Sequence, residues 1–243
     1  MAQTLFRPIT PFFSTLLPCI LMFFIGKKLE KVRILGLTGG IATGKSTLVR
    51  LIKANLNTEV IDCDEISRRL SDKGRPGYKF ILGMLGDRAE EFLHPLTREI
   101  EREKFSDFIF RNPELRKQLT KGLGKFIFAE ILKTVISNIF HNRHLMVIDA
   151  PVLFETKILV HVCYPIVVVG CPEVIQVQRL TARNGYTEEE AKLRIQSQMP
   201  LAAKKKRAQI YIENTESEEK LLSLFISKTL KYIDKKKVDS MHP

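Results

Sequence analysis

The chain has 243 residues, 44% of them hydrophobic and 27% charged, which suits one ordinary domain, or a domain with an insertion, and excludes a disordered or low-complexity protein. Its net charge of +12 is weighted towards the ends, with five basic and one acidic side chains in residues 1–33 and ten and six in residues 200–243. Few aromatics accompany basic runs such as "AAKKKR", so the surplus reads as solvated surface or a general attraction for anionic ligands, and nucleic acid is not an expected partner.

From Pro8 to Gly26 nineteen uncharged residues precede Lys27, Lys28, Lys31 and Arg33. A run of that length can just span a bilayer, and its basic C-terminal flank would leave everything after it in the cytosol. Pro11 and Pro18 weaken such a helix and Met22 is an alternative start, so two readings of residues 1–31 stay open: a membrane anchor or a dispensable extension. The remainder is expected in the cytoplasm. Cys19, Cys63, Cys163 and Cys171 include no C-x-x-C pair and the five histidines give no zinc spacing, so a reduced compartment is expected. His141 and His144 read as part of a polar loop without a chemical role.

Val32 to Thr38, "VRILGLT", is a short apolar run rich in β-formers and reads as a buried parallel strand. A helix is expected to start at Lys45-Ser46 and to bury Leu48, Leu51 and Ile52. Between strand and helix, Gly39, Gly44, Lys45 and Ser46 match G-x-x-x-x-G-K-S/T in the required context. Backbone N–H groups of such a loop cradle phosphates at the positive end of the helix; Lys45 would neutralise the β- and γ-oxygens and the Ser46 hydroxyl would ligate Mg²⁺. ATP and Mg²⁺ are therefore the expected co-substrate and cofactor, with Gly39, Gly40, Ile41, Ala42, Thr43, Gly44, Lys45, Ser46 and Thr47 as the ATP-binding loop.

"TEVIDCD" gives a second strand whose end carries Asp62 and Asp64, and within "IDCDEISRR" these two acids are followed by two arginines, which suits an acceptor hydroxyl: a carboxylate takes its proton while arginines hold an anionic acceptor. Asp64 is favoured as the base over Asp62, which sits nearer the strand and serves either the metal or the strand end. No N-K-x-D clamp or D-x-x-G switch occurs, so a GTPase is not expected. From Glu65 to about Asn142 the pattern is helical with no competing strand. "HLMVIDAP" restores a strand ending at Asp149, and "YPIVVVGCP" gives another. A helix from Pro172 to Arg183 carries Arg179 and Arg183 on one face, and Thr187 with Glu190 makes a capping box for the next helix. That hairpin can close over the nucleotide and exclude water, although taken alone the pattern also fits a solvated helix pair salt-bridged through Glu188 to Glu190. "QIYIEN" is the last strand, and a final helix follows Glu216.

Strands alternating with helices predict an α/β fold: a parallel sheet flanked by helices, with 32–64 and 144–243 as nucleotide-binding core, a helical lid at about 179–200, and 65–143 as an inserted helical subdomain. Ligands in such sheets bind beyond the carboxyl ends of the strands.

Several ordered motifs resemble the dephospho-CoA kinase family over about Ile34 to Asn214: "GLTGGIATGKST", "VIDCDEISR", "VIDAPVLFE" and "QRLTARNGYTEEEAKLRIQSQMP". The resemblance implies a P-loop kinase that phosphorylates the ribose 3′-hydroxyl of dephospho-CoA with ATP. By it Asp64 is the base, Arg68 and Arg102 acceptor-side contacts, Arg183 and Arg179 lid arginines, Asn214 a residue near adenine, and the insertion the CoA-binding subdomain. The sequence departs from the family at Gly124-Lys125, where a His-Pro pair is usual, and at Gln209 and Glu216, where aspartate and glycine are usual. A small-molecule P-loop kinase with another acceptor would share Lys45 and Asp64 and differ only in the acceptor; a non-catalytic tethered module would bind ATP without turnover.

Overall fold

The computed structural model describes residues 32–56, 58–141, 145–156 and 159–232. The apolar run at 8–26 and His144 lie outside these residues. Five strands form one parallel sheet in the order β2-β3-β1-β4-β5: β1 (Arg33–Gly39), β2 (Glu59–Asp62), β3 (Leu145–Asp149), β4 (Ile166–Gly170) and β5 (Ile210–Glu213). β1 lies central, with Leu37 opposite Asp149 of β3 and Gly39 opposite Val169 of β4.

Both faces of the sheet are covered, as parallel sheets require, and the strands divide their side chains between them with the period of two. Leu35, Leu37, Val147, Val167, Val169, Ile210 and Ile212 point to one face, where α1 (Lys45–Asn55) and α10 (Glu218–Thr229) add Leu48, Ile52, Leu221 and Phe225. Met146, Ile148, Ile166 and Val168 point to the other, against α2 (Cys63–Leu70), α5 (Pro113–Phe140) and the short α6 (Leu153–Thr156). On α1 the buried stripe is Leu48, Val49 and Ile52, with Leu51 only partly buried, so the stripe is rotated slightly from the expected one.

The chain between β2 and β3 is helical: α2, α3 (Pro76–Leu85), a 3₁₀ turn at Gly86–Phe92, α4 (Arg102–Arg111) and α5. Pro76 and Pro113 open α3 and α5, where a missing N–H costs nothing. A single antiparallel bridge, Leu93 to Ile100, is the one non-helical pairing described there. Ile81, Leu85 and Phe92 form a separate small core with Phe105, Phe108 and Leu119. The 28 residues of α5 serve both bodies: Leu119 packs on that small core, while Ile131, Val135 and Ile139 pack on the sheet. After β4 come α7 (Glu173–Asn184) and α8 (Glu188–Gln196), which form the expected hairpin, then α9 (Leu201–Arg207).

Candidate active site

The carboxyl ends of β1, β3, β4 and β5 open onto a cleft of about 740 Å³ lined by Gly39 to Thr47, Asp64, Pro151, Arg179, Arg183, Gln198 and Asn214. At its floor β1 runs through the glycine-rich loop into α1. Gly44 at the helix start has φ 90°, a conformation that favours glycine, and a Cβ there would collide with the Asn214 amide. Ala42 holds φ 57°, the left-handed region, at the loop's apex. Among the described residues no side chain caps α1, and its first-turn residues Lys45, Ser46 and Thr47 line the cleft.

The loop is held from behind by side chains from other elements. Gln176 Nε2 donates to Ile41 O at 2.6 Å, and Ile41 N donates to Gln198 Oε1 at 3.0 Å. Arg179 Nη1 donates to Ala42 O and Nη2 to Asn214 O, both at 3.2 Å, and Asn214 Nδ2 donates to Thr43 O at 2.9 Å. Arg179 and Asn214 thus line the cleft but spend their donors bracing the loop backbone. Arg183, one turn further along α7, also lines the cleft and donates from Nε to Asn184 Oδ1 at 2.9 Å. Of the hairpin's glutamates, Glu188 pairs Lys192 at 2.6 Å and Glu190 closes the capping box with Thr187, both within α8.

Three carboxylates, Asp62, Asp64 and Asp149, gather on the Lys45 side of the cleft. Lys45 Nζ lies 2.5 Å from Asp149 Oδ1, an ion pair that is nearly buried on both sides. Burial pushes the Asp149 carboxyl up, Lys45 pulls it down, and Asp62 and Asp64 push it up again. Asp64 is likewise raised, first by desolvation in the crowded cleft and then by Asp62, against the pull of Lys45 and Arg68. Asp62 acts locally, its Oδ1 accepting from the N–H groups of Asp64 and Glu65 at 2.9 Å each and so capping α2. Beside them the buried Cys63 thiol is pushed up to about 12 by burial and the neighbouring acids, so it stays protonated. The described cysteines Cys63, Cys163 and Cys171 are all buried and free.

Asp64 also lines a second cavity, an apolar one of about 180 Å³ between α2, α5 and the start of α6, with Leu123, Gly124, Ile127 and Val152 in its wall. Ser67, Leu119 and Leu123 connect this cavity to a groove of about 340 Å³ whose polar side carries Arg68 and Arg102. Arg102 Nη2 donates to Asp72 Oδ1 at 2.7 Å and to Arg68 O at 3.3 Å, which places the two arginines together. The structure places Gly39 to Thr47, Asp64, Arg179, Arg183 and Asn214 around the cleft and Arg68 and Arg102 on its side groove, while Asp62 caps α2 beside them. Gln176, Gln198 and the Lys45 partner Asp149 were not among the site residues expected from the sequence. Asp149 was visible as a strand-end acid and Gln198 lies in the quoted "RIQSQMP" stretch, but neither glutamine's role is legible locally, since both act across more than a hundred residues.

Among the described residues no group of three or more His, Cys, Asp or Glu is close enough to hold a metal unaided, and no helix is long and apolar enough to cross a membrane.

A five-stranded parallel sheet, a phosphate loop under a helical hairpin and a carboxylate facing a side groove define a P-loop kinase. Residues 33–219 match the family model of dephospho-CoA kinase. The chain is 36% identical over 194 residues to the dephospho-CoA kinase of Arabidopsis thaliana, covering 80% of this chain and 81% of the relative. It is 38% identical over 187 residues to that of Enterococcus faecalis, covering 77% and 90%. The solved dephospho-CoA kinase of Campylobacter jejuni shares the fold, with a TM-score of 0.59 at 24% identity over 82% of this chain and 96% of that one. The chain belongs to the dephospho-CoA kinase family.

Proposed function

We propose that this chain transfers the γ-phosphoryl group of ATP to the ribose 3′-hydroxyl of dephospho-CoA, giving CoA and ADP, with the acceptor entering from the side groove. The observation that carries this reading is the place of Asp64, in the walls of both the phosphate cleft and the apolar cavity. A hydroxyl held there lies between a base and the loop. Asp64 takes its proton as the oxygen attacks the γ-phosphorus and the bond to ADP breaks; a raised carboxyl pKa makes the anion a stronger base. Lys45 neutralises charge on the transferring group, and Arg183 supplies a further cation when the α7–α8 hairpin closes as a lid. Arg68 and Arg102 hold the acceptor's anionic groups, and the apolar groove between them and Asp64 suits its uncharged portion.

The donor set fits Mg²⁺: Ser46 and the nearby carboxylates are hard oxygen ligands, too few without the phosphates of ATP, as is usual for this ion. Bound Mg²⁺ would offset the mutual repulsion of the acids and charge on the phosphates. Ser46 would hold it with Asp62 or Asp149 as the carboxylate, Asp62 Oδ1 also serving the cap of α2 and Asp149 Oδ1 the pair with Lys45. Residues 65–143 supply the acceptor side, the core and 179–200 the nucleotide side, and residues 8–26 are a candidate tether to a membrane.

The test is a panel of ATP-consumption assays with dephospho-CoA, nucleoside monophosphates and pantetheine derivatives. Turnover confined to dephospho-CoA is expected, and turnover with a different acceptor alone would sink the assignment.

A further inference from the structure

Within "AAKKKR" the sequence pattern reads as solvated surface, and Lys205, Lys206 and Arg207 are indeed exposed. Lys204 is the exception: it is fully buried, at 0% exposure. Its ammonium has three donors and three acceptors around it, Gly39 O at 3.1 Å, Pro151 O at 2.9 Å and Glu155 Oε1 at 3.2 Å. Gly39 is where β1 becomes the phosphate loop. Pro151 follows two residues after Asp149, the partner of Lys45, and its carbonyl also accepts from Thr38 Oγ1 at 3.0 Å. One buried cation thus ties the ends of two adjacent strands at the point where they leave the sheet.

Stability alone does not require a charge here, because a buried ion pair is commonly replaceable by apolar side chains of similar size without loss. The pair is also an imperfect one, since Glu155 Oε2 is buried and has no hydrogen-bond partner among the described residues. Carbonyl oxygens, by contrast, can be held together only by a donor that reaches both. We propose that Lys204 is a positioning residue for phosphoryl transfer: by bonding Gly39 O and Pro151 O it fixes the spacing between the phosphate loop and the 149–151 segment, and so the placement of Lys45 over the transferring group. It acts through the backbone and touches no substrate. The inference rests on the kinase reading above.

The experiment compares four full-length proteins, wild type, Lys204→Met, Glu155→Gln and the double variant, by Tm, by kcat and both KM values with ATP and dephospho-CoA, and by calorimetric affinity for Mg·ATP. Lys204→Met should lower both Tm and kcat, the latter tenfold to a hundredfold, the range a displacement of about 1 Å can cost, with the KM for dephospho-CoA within twofold of wild type. Adding Glu155→Gln should recover part of the lost Tm, because no buried carboxylate is left without its cation, while kcat stays low because the two carbonyls remain untied. Glu155→Gln alone should keep kcat within twofold. Recovery of kcat in the double variant would reduce Lys204 to a structural ion-pair partner. A loss in Glu155→Gln as large as in Lys204→Met would do the same; if Lys204→Met does not fold, the double variant, which leaves no buried carboxylate without its cation, carries the comparison with Glu155→Gln. Wild-type turnover tests the kinase reading separately. Mg·ATP affinity, which needs no acceptor, should fall in both Lys204 variants and not in Glu155→Gln.

Discussion

Lys45 and Asp64 are two side chains whose roles separate by what each loses. Lys45→Met keeps the length of the stem and removes the charge that faces the phosphates, so kcat should fall by about 10²-fold or more, the usual size for a preorganised electrostatic group. Asp64→Asn should keep ATP affinity and lower kcat by about a hundredfold. Its effect on stability has the opposite sign. The Asp64 carboxyl is raised in the folded protein, so folding binds its proton more tightly than the unfolded chain does. Its favourable contribution is complete below the unfolded value and is lost as pH rises through the folded one. At neutral pH the ionised group therefore costs stability, and Asp64→Asn should raise Tm at pH 7 but not at pH values below the ordinary carboxylate range. In wild type the acid limb of kcat should lie above that range, tracking the raised carboxyl. A variant that lost Tm and ATP affinity together would show Asp64 to be a scaffold residue. These two residues were legible because strand-loop-helix context fixes them locally. The bracing of Ala42 by Arg179 was not, since Arg179 reads from sequence as a lid cation and only the packing of α7 against the loop reveals where its donors go.

Among the elements, the helix starts show why some assignments were readable and others were not. Thr187 and Glu190 signal α8 through a contact between residues three apart, and the structure forms it. Asp62 sends the same kind of signal, but beside a phosphate loop an acid at a strand end reads equally as a metal ligand. The geometry puts its Oδ1 on two N–H groups of α2, the helix that carries Asp64 and Arg68. Asparagine caps as well as aspartate, whereas alanine loses the cap at about 1 kcal/mol. Asp62→Asn should therefore retain the Tm and most of the turnover, and Asp62→Ala should lower Tm and weaken acceptor use by loosening the first turn of α2. Loss of Mg²⁺ dependence or a large kcat defect in Asp62→Asn, with Tm unchanged, would move Asp62 into the metal site instead.

At the scale of the molecule, alternation of strands and helices announces a parallel sheet but not its order, because a right-handed crossover can land on more than one neighbour. β3 comes between β1 and β2, and that insertion sets Asp149 opposite Leu37, within reach of Lys45. The same limit applies to α5: its length is written in the sequence, while its double duty, half on the small helical core and half on the sheet, depends on which residues meet it. Every side chain in this chemistry lies after β1 begins at Arg33, and the apolar run at 8–26 is separated from it by "KKLEK" and contributes no motif residue. A chain starting at Lys27 should therefore fold and turn over as the full-length protein does, with kcat and both KM values within twofold. Fractionation of the full-length protein then identifies what the run does. Burial of nineteen uncharged residues in a bilayer does not depend on charge screening, so an anchored protein resists high salt and is released by detergent. Release by salt would mark a basic surface contact through Lys27, Lys28 and Lys31, and loss of turnover on truncation would show that these residues pack on the kinase core.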